Sequence, residues 1–322
     1  MAIPASFEGR LKLPLVSAPM FLVSGPELVI ETCKSGVVGT FPALNERSSE
    51  GFESWLEEIN GALAEAENPA PFGVNLIVHQ TNLRMKQDLE LCVKHKVPLV
   101  ITSLGAVKEV VDAVHSYGGL VFHDVTNIRH AEKAIEAGVD GLIAVCAGAG
   151  GHAGTLSPFA LVSEIRQIFD GTILLAGCMS SGKDIATARM LGADMAYIGT
   201  RFINTAESRA VEEYKDMIID SSAKDIVYTP KISGIPANFL KPSLADAGRD
   251  VDTGEVKKVD LGDEMKAPKD GASAWKSIWS AGQGVGSIQD KPPVAELIDT
   301  MRQEYREAAA QFADQSAPFV AE

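Results

Sequence analysis

Ala137-Gly138-Val139-Asp140-Gly141-Leu142-Ile143-Ala144-Val145 holds a helix end, a corner and an apolar strand in one short stretch. Gly138 is the residue type that takes the left-handed backbone closing a helix. The apolar run after Asp140 suits a strand covered on both faces. Leu191-Gly192-Ala193-Asp194, ahead of Met195–Thr200, repeats the corner, and Gly36 and Gly118 also separate helix-like from strand-like segments.

Outward from these corners, apolar runs alternate with amphipathic segments along the chain. Leu13–Met20 precedes a helix over Pro26–Ser35, Val37–Phe41 one over Gly51–Ala66, and Phe72–Val78 one over Asn82–Lys96. Pro98–Ser103 precedes Ala106–Ser116, Leu120–Val125 precedes Asn127–Ala137, and Gly141–Cys146 precedes Pro158–Phe169. Ile173–Cys178 precedes Ser181–Leu191, and Met195–Thr200 precedes Ala206–Asp220, eight strand–helix pairs in about 220 residues. Eight such units close into an α/β fold of the (β/α)8 TIM-barrel type over residues 1–220. A doubly wound open sheet is the alternative, but it more often uses fewer units and a topological switch. From Ser221 the pattern changes to Pro-rich turns (Tyr228–Pro242), a charged stretch (Asp246–Asp270), Trp275–Ile288 and a helix over Pro293–Phe312. Residues 221–322 therefore read as a C-terminal helical appendage packed on the barrel.

The bulk numbers exclude several classes. A hydrophobic content of 46% with 22% charged residues fits a globular chain. A net charge of −14 argues against nucleic acid and anionic membrane surfaces as partners. No apolar run reaches a membrane span. Glu8, Arg10 and Lys12 stand where a secretory leader needs its apolar core, so a cytoplasmic protein is expected. Cys33, Cys92, Cys146 and Cys178 form no CxxC pair, which suggests buried, reduced thiols. With no HExxH and no histidine cluster, no metal is expected.

In such barrels the active site lies at the C-terminal strand ends. Those ends carry Ala18-Pro19-Met20, Asn75 with His79 and Thr81 nearby, His123-Asp124, Gly148–His152, Gly177–Gly182 and Ile198–Arg201. In Cys146-Ala147-Gly148-Ala149-Gly150-Gly151-His152-Ala153-Gly154 glycines crowd around one histidine. Glycine permits close backbone approach to a ligand, and histidine moves a proton near neutral pH. Equally, the glycines could make only a tight turn and His152 be a satisfied polar residue. The turns of strands seven and eight offer N–H groups, hydroxyls and helix starts, which favours a phosphate there; Ser and Thr at helix starts are also ordinary caps. Gly148-x-Gly150-x-x-Ala153 fits a dinucleotide fingerprint, but its helix would begin only after Ser157-Pro158, too late for that motif.

Ala18-Pro19-Met20, Phe72-Gly73-Val74-Asn75-Leu76, Ala149–Gly154, Ile198–Phe202 and Ser280-Ala281-Gly282-Gln283-Gly284-Val285-Gly286, in this order and spacing, resemble the nitronate monooxygenase family. The resemblance implies an FMN-containing barrel, related to flavin-dependent enoyl-acyl-carrier-protein reductases and NADH:quinone reductases. It implies that His152 is the active-site histidine and that Pro19, Met20 and Phe21 lie along the flavin ring. Asn75 and Thr81 then fall near the flavin, with the backbone of Gly150 and Gly151 facing it. Gly177, Cys178, Met179, Ser181, Gly199 and Thr200 match the phosphate end, and Gln283 belongs to the tail motif closing over the cofactor. Two departures stand out: Asp124 replaces a lysine of some members and cannot neutralise a phosphate, and Gly148 replaces the glutamate of the acyl-carrier reductases. The activity implied is oxidation of alkyl nitronates, with nitroalkanes as further substrates, by O2 to carbonyl compounds and nitrite, in a monomer or homodimer. The alternatives are an NAD(P)H-dependent flavin reductase acting on quinones or enoyl thioesters, a flavin-free phosphate-binding barrel enzyme, and a silent ligand-binding barrel.

Overall fold

Asp140 and Asp194, the acids ending the two repeated corners, play the same part in the computed structural model, which describes residues 3–105, 107–249 and 278–320. The Asp140 carboxylate accepts from the Val121 N–H at 2.8 Å, and its own N–H donates to the Val121 carbonyl at 2.9 Å. Asp194 makes the same pair of bonds with Ile173, at 2.9 and 2.7 Å. Each corner is thereby stitched to the start of the preceding strand.

The barrel strands are β1 (Leu15–Ser17), β2 (Val38–Pro42), β3 (Phe72–Ile77), β4 (Leu99–Ser103), β5 (Leu120–Val125) and β6 (Gly141–Val145). After a two-residue strand outside the barrel, β7 (Gly151–His152), they continue with β8 (Thr172–Ala176) and β9 (Met195–Ile198). All eight barrel pairings are parallel, and β9 returns to β1. Val16, Val38, Leu99, Ile101, Phe122, Ile143, Leu174 and Met195 fill the interior, and Phe7 packs on Phe122 to close it.

Helices α1 (Pro26–Lys34), α2 (Ser49–Ala64), α3 (Met85–Lys94), α4 (Lys108–His115), α5 (Ile128–Ala137), α6 (Pro158–Ile168) and α7 (Gly182–Met190) form the outer layer. In α2, Ser48 caps the first turn through the Gly51 N–H, and Phe52, Trp55, Leu56 and Ile59 make one helical stripe against the barrel. The expected closure of α5 is present: Gly138 has φ +87°.

Three elements differ from the sequence reading. Strand one is shorter than Leu13–Met20, because Pro14 and Pro19 bracket it and neither has an N–H for a ladder. The helix expected over Ala206–Asp220 begins only at α9 (Glu212–Ile219), and a separate one-turn helix, α8 (Thr200–Ile203), stands before it. Thr205 and Ser208 hydroxyls donate to the Phe202 and Ile203 carbonyls, ending α8 early. The extension is not only helical: β10 (Ile226–Thr229) and β11 (Ala237–Leu240) form an antiparallel pair that takes β7 as its third strand. Two helices complete it, α10 (Lys241–Asp246) and α11 (Val294–Val320). Val294, Leu297, Ile298 and Met301 bury the first turns of α11. Trp275 and most of the charged stretch lie outside the described residues.

Candidate functional site

The loop after β6 is shaped by two glycines standing back to back. A Cβ on Gly150 would lie 2.9 Å from the Gly282 nitrogen and 3.0 Å from Thr200 Oγ1, and one on Gly282 would lie 2.7 Å from the Gly148 carbonyl. The tail motif therefore closes against the glycine loop backbone to backbone, fixed by Gln283 N–H to Gly148 O (2.8 Å) and Gly282 N–H to Thr200 Oγ1 (3.0 Å). Gly151 adopts φ +67°, and a Cβ there would stand in open space.

His152 is then placed by the extension. Ala237 of β11 is its register partner and Asn238 that of Gly151. Asn238 donates to the Ala149 carbonyl at 2.6 Å, and the Tyr228 hydroxyl to the Ala153 carbonyl at 3.0 Å. Burial pushes the His152 imidazole down to about 4, so it is neutral at physiological pH.

The strand ends, the glycine loop and the tail enclose a cavity of about 440 Å³, within the ~300–1,000 Å³ usual for small-molecule sites. Pro19, Met20, Phe21, Asn75, Gly150, Gly151, His152, Gly177, Cys178, Met179, Gly199 and Thr200, all expected from the sequence, line it. Thr81, Ser181 and Gln283 stand off its wall. The Thr81 hydroxyl is bonded to His79 Nδ1 (2.8 Å), and the Gln283 side chain is exposed. Ser181 is the N-cap of α7 in a reciprocal capping box with Asp184. That helix end is further covered by Glu304 of α11, whose carboxylate takes the Gly182 N–H at 2.6 Å. Ser181 thus acts as a cap, while the Gly177–Met179 and Gly199–Thr200 turns stay on the cavity wall.

His79 and His123 do not line the cavity. His123 points to the outside of the barrel and shares a 2.7 Å hydrogen bond with the Thr102 hydroxyl. Cys33, Cys92 and Cys146 are buried, whereas Cys178 is exposed on the wall at φ +58°. Glu53, Glu57 and His95 bring possible metal ligands within 4.8 Å of one another on the helical layer. Glu53 is already paired there with Lys94 and His95.

The wall also carries residues that the sequence reading did not assign to the cofactor. Ser103, Asp124 and Tyr197 form the polar floor, and Tyr214 and Trp279, stacked at 5.0 Å, form an aromatic side wall with Arg209 beside them. The inward phase of β4, β5 and β9 could have flagged the floor; nothing local marks the Tyr214–Trp279 pair. The site fits a flavin in its chemistry: Gly150, Gly151, Gly177 and Gly199 put bare backbone on the wall, apolar walls suit a flat ring, and Asn75, Ser103 and Asp124 offer polar atoms at the base.

A nitronate monooxygenase family model matches residues 80–304. Nitronate monooxygenase of Neurospora crassa is 26% identical over 339 aligned residues, which cover 91% of this chain and 89% of that protein. A 5-hydroxy-7a-methyl-1-oxo-octahydro-1H-indene-4-carboxyl-CoA dehydrogenase of Rhodococcus jostii is 24% identical over 236 residues. That match covers 73% of this chain and spans only 64% of the dehydrogenase. The crystal structure of nitroalkane oxidase from Streptomyces ansochromogenes superposes with a TM-score of 0.81 at 22% identity, over 96% of this chain and 100% of that one, and shares the fold. No described helix is long and apolar enough to cross a membrane.

Proposed function

The chain belongs to the nitronate monooxygenase family, and from that premise we propose that this flavin-dependent oxidoreductase uses FMN to oxidise alkyl nitronates with O2 to carbonyl compounds and nitrite. Nitroalkanes are further, slower substrates. The observation that carries the reading is His152: neutral, held in backbone register by β11, and facing an apolar cavity walled by glycine backbone.

FMN, when bound, supplies the one-electron and oxygen chemistry. Gly150, Gly151, Gly177, Cys178, Met179, Gly199 and Thr200 would hold it by backbone and hydroxyl, with Pro19, Met20, Phe21 and Asn75 along the ring. Neutral His152 can donate one ring N–H to a nitro oxygen. An imidazole with a pKa of about 4 is a poor acceptor for the α-proton of a nitroalkane. A nitronate arrives without that proton, so the histidine suits nitronates better. Leu22, Leu44 and Trp279 keep the site apolar, which strengthens the hydrogen bonds made inside it.

The purified protein, mixed anaerobically with propionate 3-nitronate and separately with NADH, tests this. Loss of flavin absorbance with the nitronate and none with NADH supports the reading. The reverse pattern moves the chain to the NAD(P)H-dependent flavin reductases.

A further inference from the structure

Asp124 is an acid on the cavity floor that the chemistry above does not use. Beside it in the barrel, the Ser103 hydroxyl of β4 donates to Asp124 Oδ2 at 2.5 Å, and Asn75 of β3 donates to Ser103 Oγ at 2.7 Å. These two bonds fix one carboxyl oxygen. The other, Oδ1, is buried and has no hydrogen-bond partner among the described residues. The same cavity wall carries the apolar Ile77, Val145 and Ala176, and Tyr197 lies close enough to feel the Asp124 charge. A buried oxygen left over beside an open cavity calls for a partner from the ligand.

The charge state of that oxygen follows from its neighbours. The other titratable or charged groups on the wall are Tyr197 from β9, His152 from β7, Cys178 after β8, Tyr214 from α9 and Arg209 before α9. Arg209 is exposed and sits over the Trp55 ring at 4.4 Å, so among the described residues no cation is paired with the Asp124 carboxyl. Burial pushes Asp124 up to about 6 even though the Ser103 bond pulls it down. His152 lies near 4, and Cys178 and both tyrosines lie above their usual values. Asp124 is thus the wall group that changes charge between about pH 5 and 7. The edge of an oxidised isoalloxazine presents mainly acceptors, two carbonyl oxygens and two ring nitrogens, against one N–H. A carboxyl that keeps its proton matches that edge, and an ionised one opposes it.

We propose that Asp124 contacts the flavin ring directly, donating from Oδ1 as the protonated acid, so that ionisation of Asp124 weakens FMN binding. This rests on the FMN reading above and gives the aspartate, which suits no phosphate, a place at the ring.

The test strips FMN from the holoprotein and titrates it back, following quenching of flavin fluorescence from pH 5 to 7.5. Wild type, Asp124→Asn and Ser103→Ala are compared. Asparagine keeps a donor and does not ionise, and it shares any effect of the FMN phosphate's own titration. The ratio of wild-type to Asp124→Asn Kd is expected near one at pH 5 and more than about tenfold at pH 7.5, given a pKa near 6. Ser103→Ala removes the bond that favours the ionised form, so the rise in Kd should move to higher pH; a structural role alone would not shift it. A ratio that stays flat across the range, or a Ser103→Ala profile that does not move, overturns the proposal. If wild type takes up no FMN at any pH, the cofactor reading falls and the proposal falls with it.

Discussion

Asn238 donates its side-chain amide to the Ala149 carbonyl at 2.6 Å, joining two residues far apart in sequence. Through that bond and the β11–β7 register, the extension sets the position of His152. The barrel supplies the cavity, and the chain beyond it aims the histidine.

Replacing Asn238 tests this joint. Asn238→Ala leaves the Ala149 carbonyl without its donor, at a cost of about 1–3 kcal/mol. Asn238→Asp should be worse, because a carboxylate cannot donate and sets oxygen against oxygen. Thermal unfolding should rank wild type above Ala above Asp, with nitronate turnover falling in the same order. An Asp variant as stable as wild type would show that the bond contributes nothing.

Gly150→Ala probes the closure between loop and tail. Its Cβ would meet the Gly282 nitrogen at 2.9 Å, and backbone there has no rotamer by which to yield. Overpacking of this kind costs about 1–3 kcal/mol, and displacement of the tail should weaken flavin retention. Gly151→Ala meets no neighbour and is strained only by its positive φ, so the two variants should separate in a gel-filtration assay of bound FMN: Gly150→Ala is expected to lose more.

The barrel was legible because its signals are local. Gly138 and Gly192 close helices beside apolar strands, and each strand reports its own burial. The cavity wall was legible for residues at strand ends. Ser181 was ambiguous in sequence, since one Ser-x-x-Asp pattern serves a phosphate site and a capping box; Glu304, from another element, decides it. The sheet of β7, β10 and β11 was hidden because two-residue β7 has no alternation to read and pairs with residues far along the chain. Asp124 drew notice only as an unsuitable phosphate ligand; its bond to Ser103 depends on a β4–β5 register that no single segment displays.

The twin corners predict unequal costs. Asp194 is fully buried and also accepts from Arg166 at 2.5 Å, whereas Asp140 and its partner His115 are partly exposed. Asp194→Ala strands the Ile173 N–H and leaves the Arg166 guanidinium with backbone carbonyls but no counter-charge, costing about 3 kcal/mol. Asp140→Ala should cost about 1 kcal/mol. Urea unfolding midpoints of the two variants check the order, and equal shifts would mean that burial does not distinguish the corners.

His152→Asn separates hydrogen bonding from proton transfer. Asparagine can still donate to a nitro oxygen but cannot take a proton. FMN should remain bound, and because an imidazole held near 4 is a poor base, kcat for neutral nitroalkanes and for nitronates should fall by similar factors; a nitroalkane loss ~10²-fold larger than the nitronate loss would show that His152 takes the α-proton. Equal losses with the two substrates would exclude a base role for His152.

The buried histidines set how the apoprotein responds to acid. His123 and His152 are held down at about 4 from 6.5, so between these values the unfolded chain binds protons that the native state refuses. Stability is therefore lost as pH falls from 6.5 to 4, by up to about 3 kcal/mol for each histidine. Asp124 runs the other way: raised to about 6 from 3.8, it costs stability as pH rises through that window and none below it. Urea unfolding at pH 7, 5.5 and 4 should show a net acid loss in wild type, a shallower loss in His123→Gln and a steeper one in Asp124→Asn. An Asp124→Asn profile that overlays wild type would mean the carboxyl is ionised in the native protein throughout.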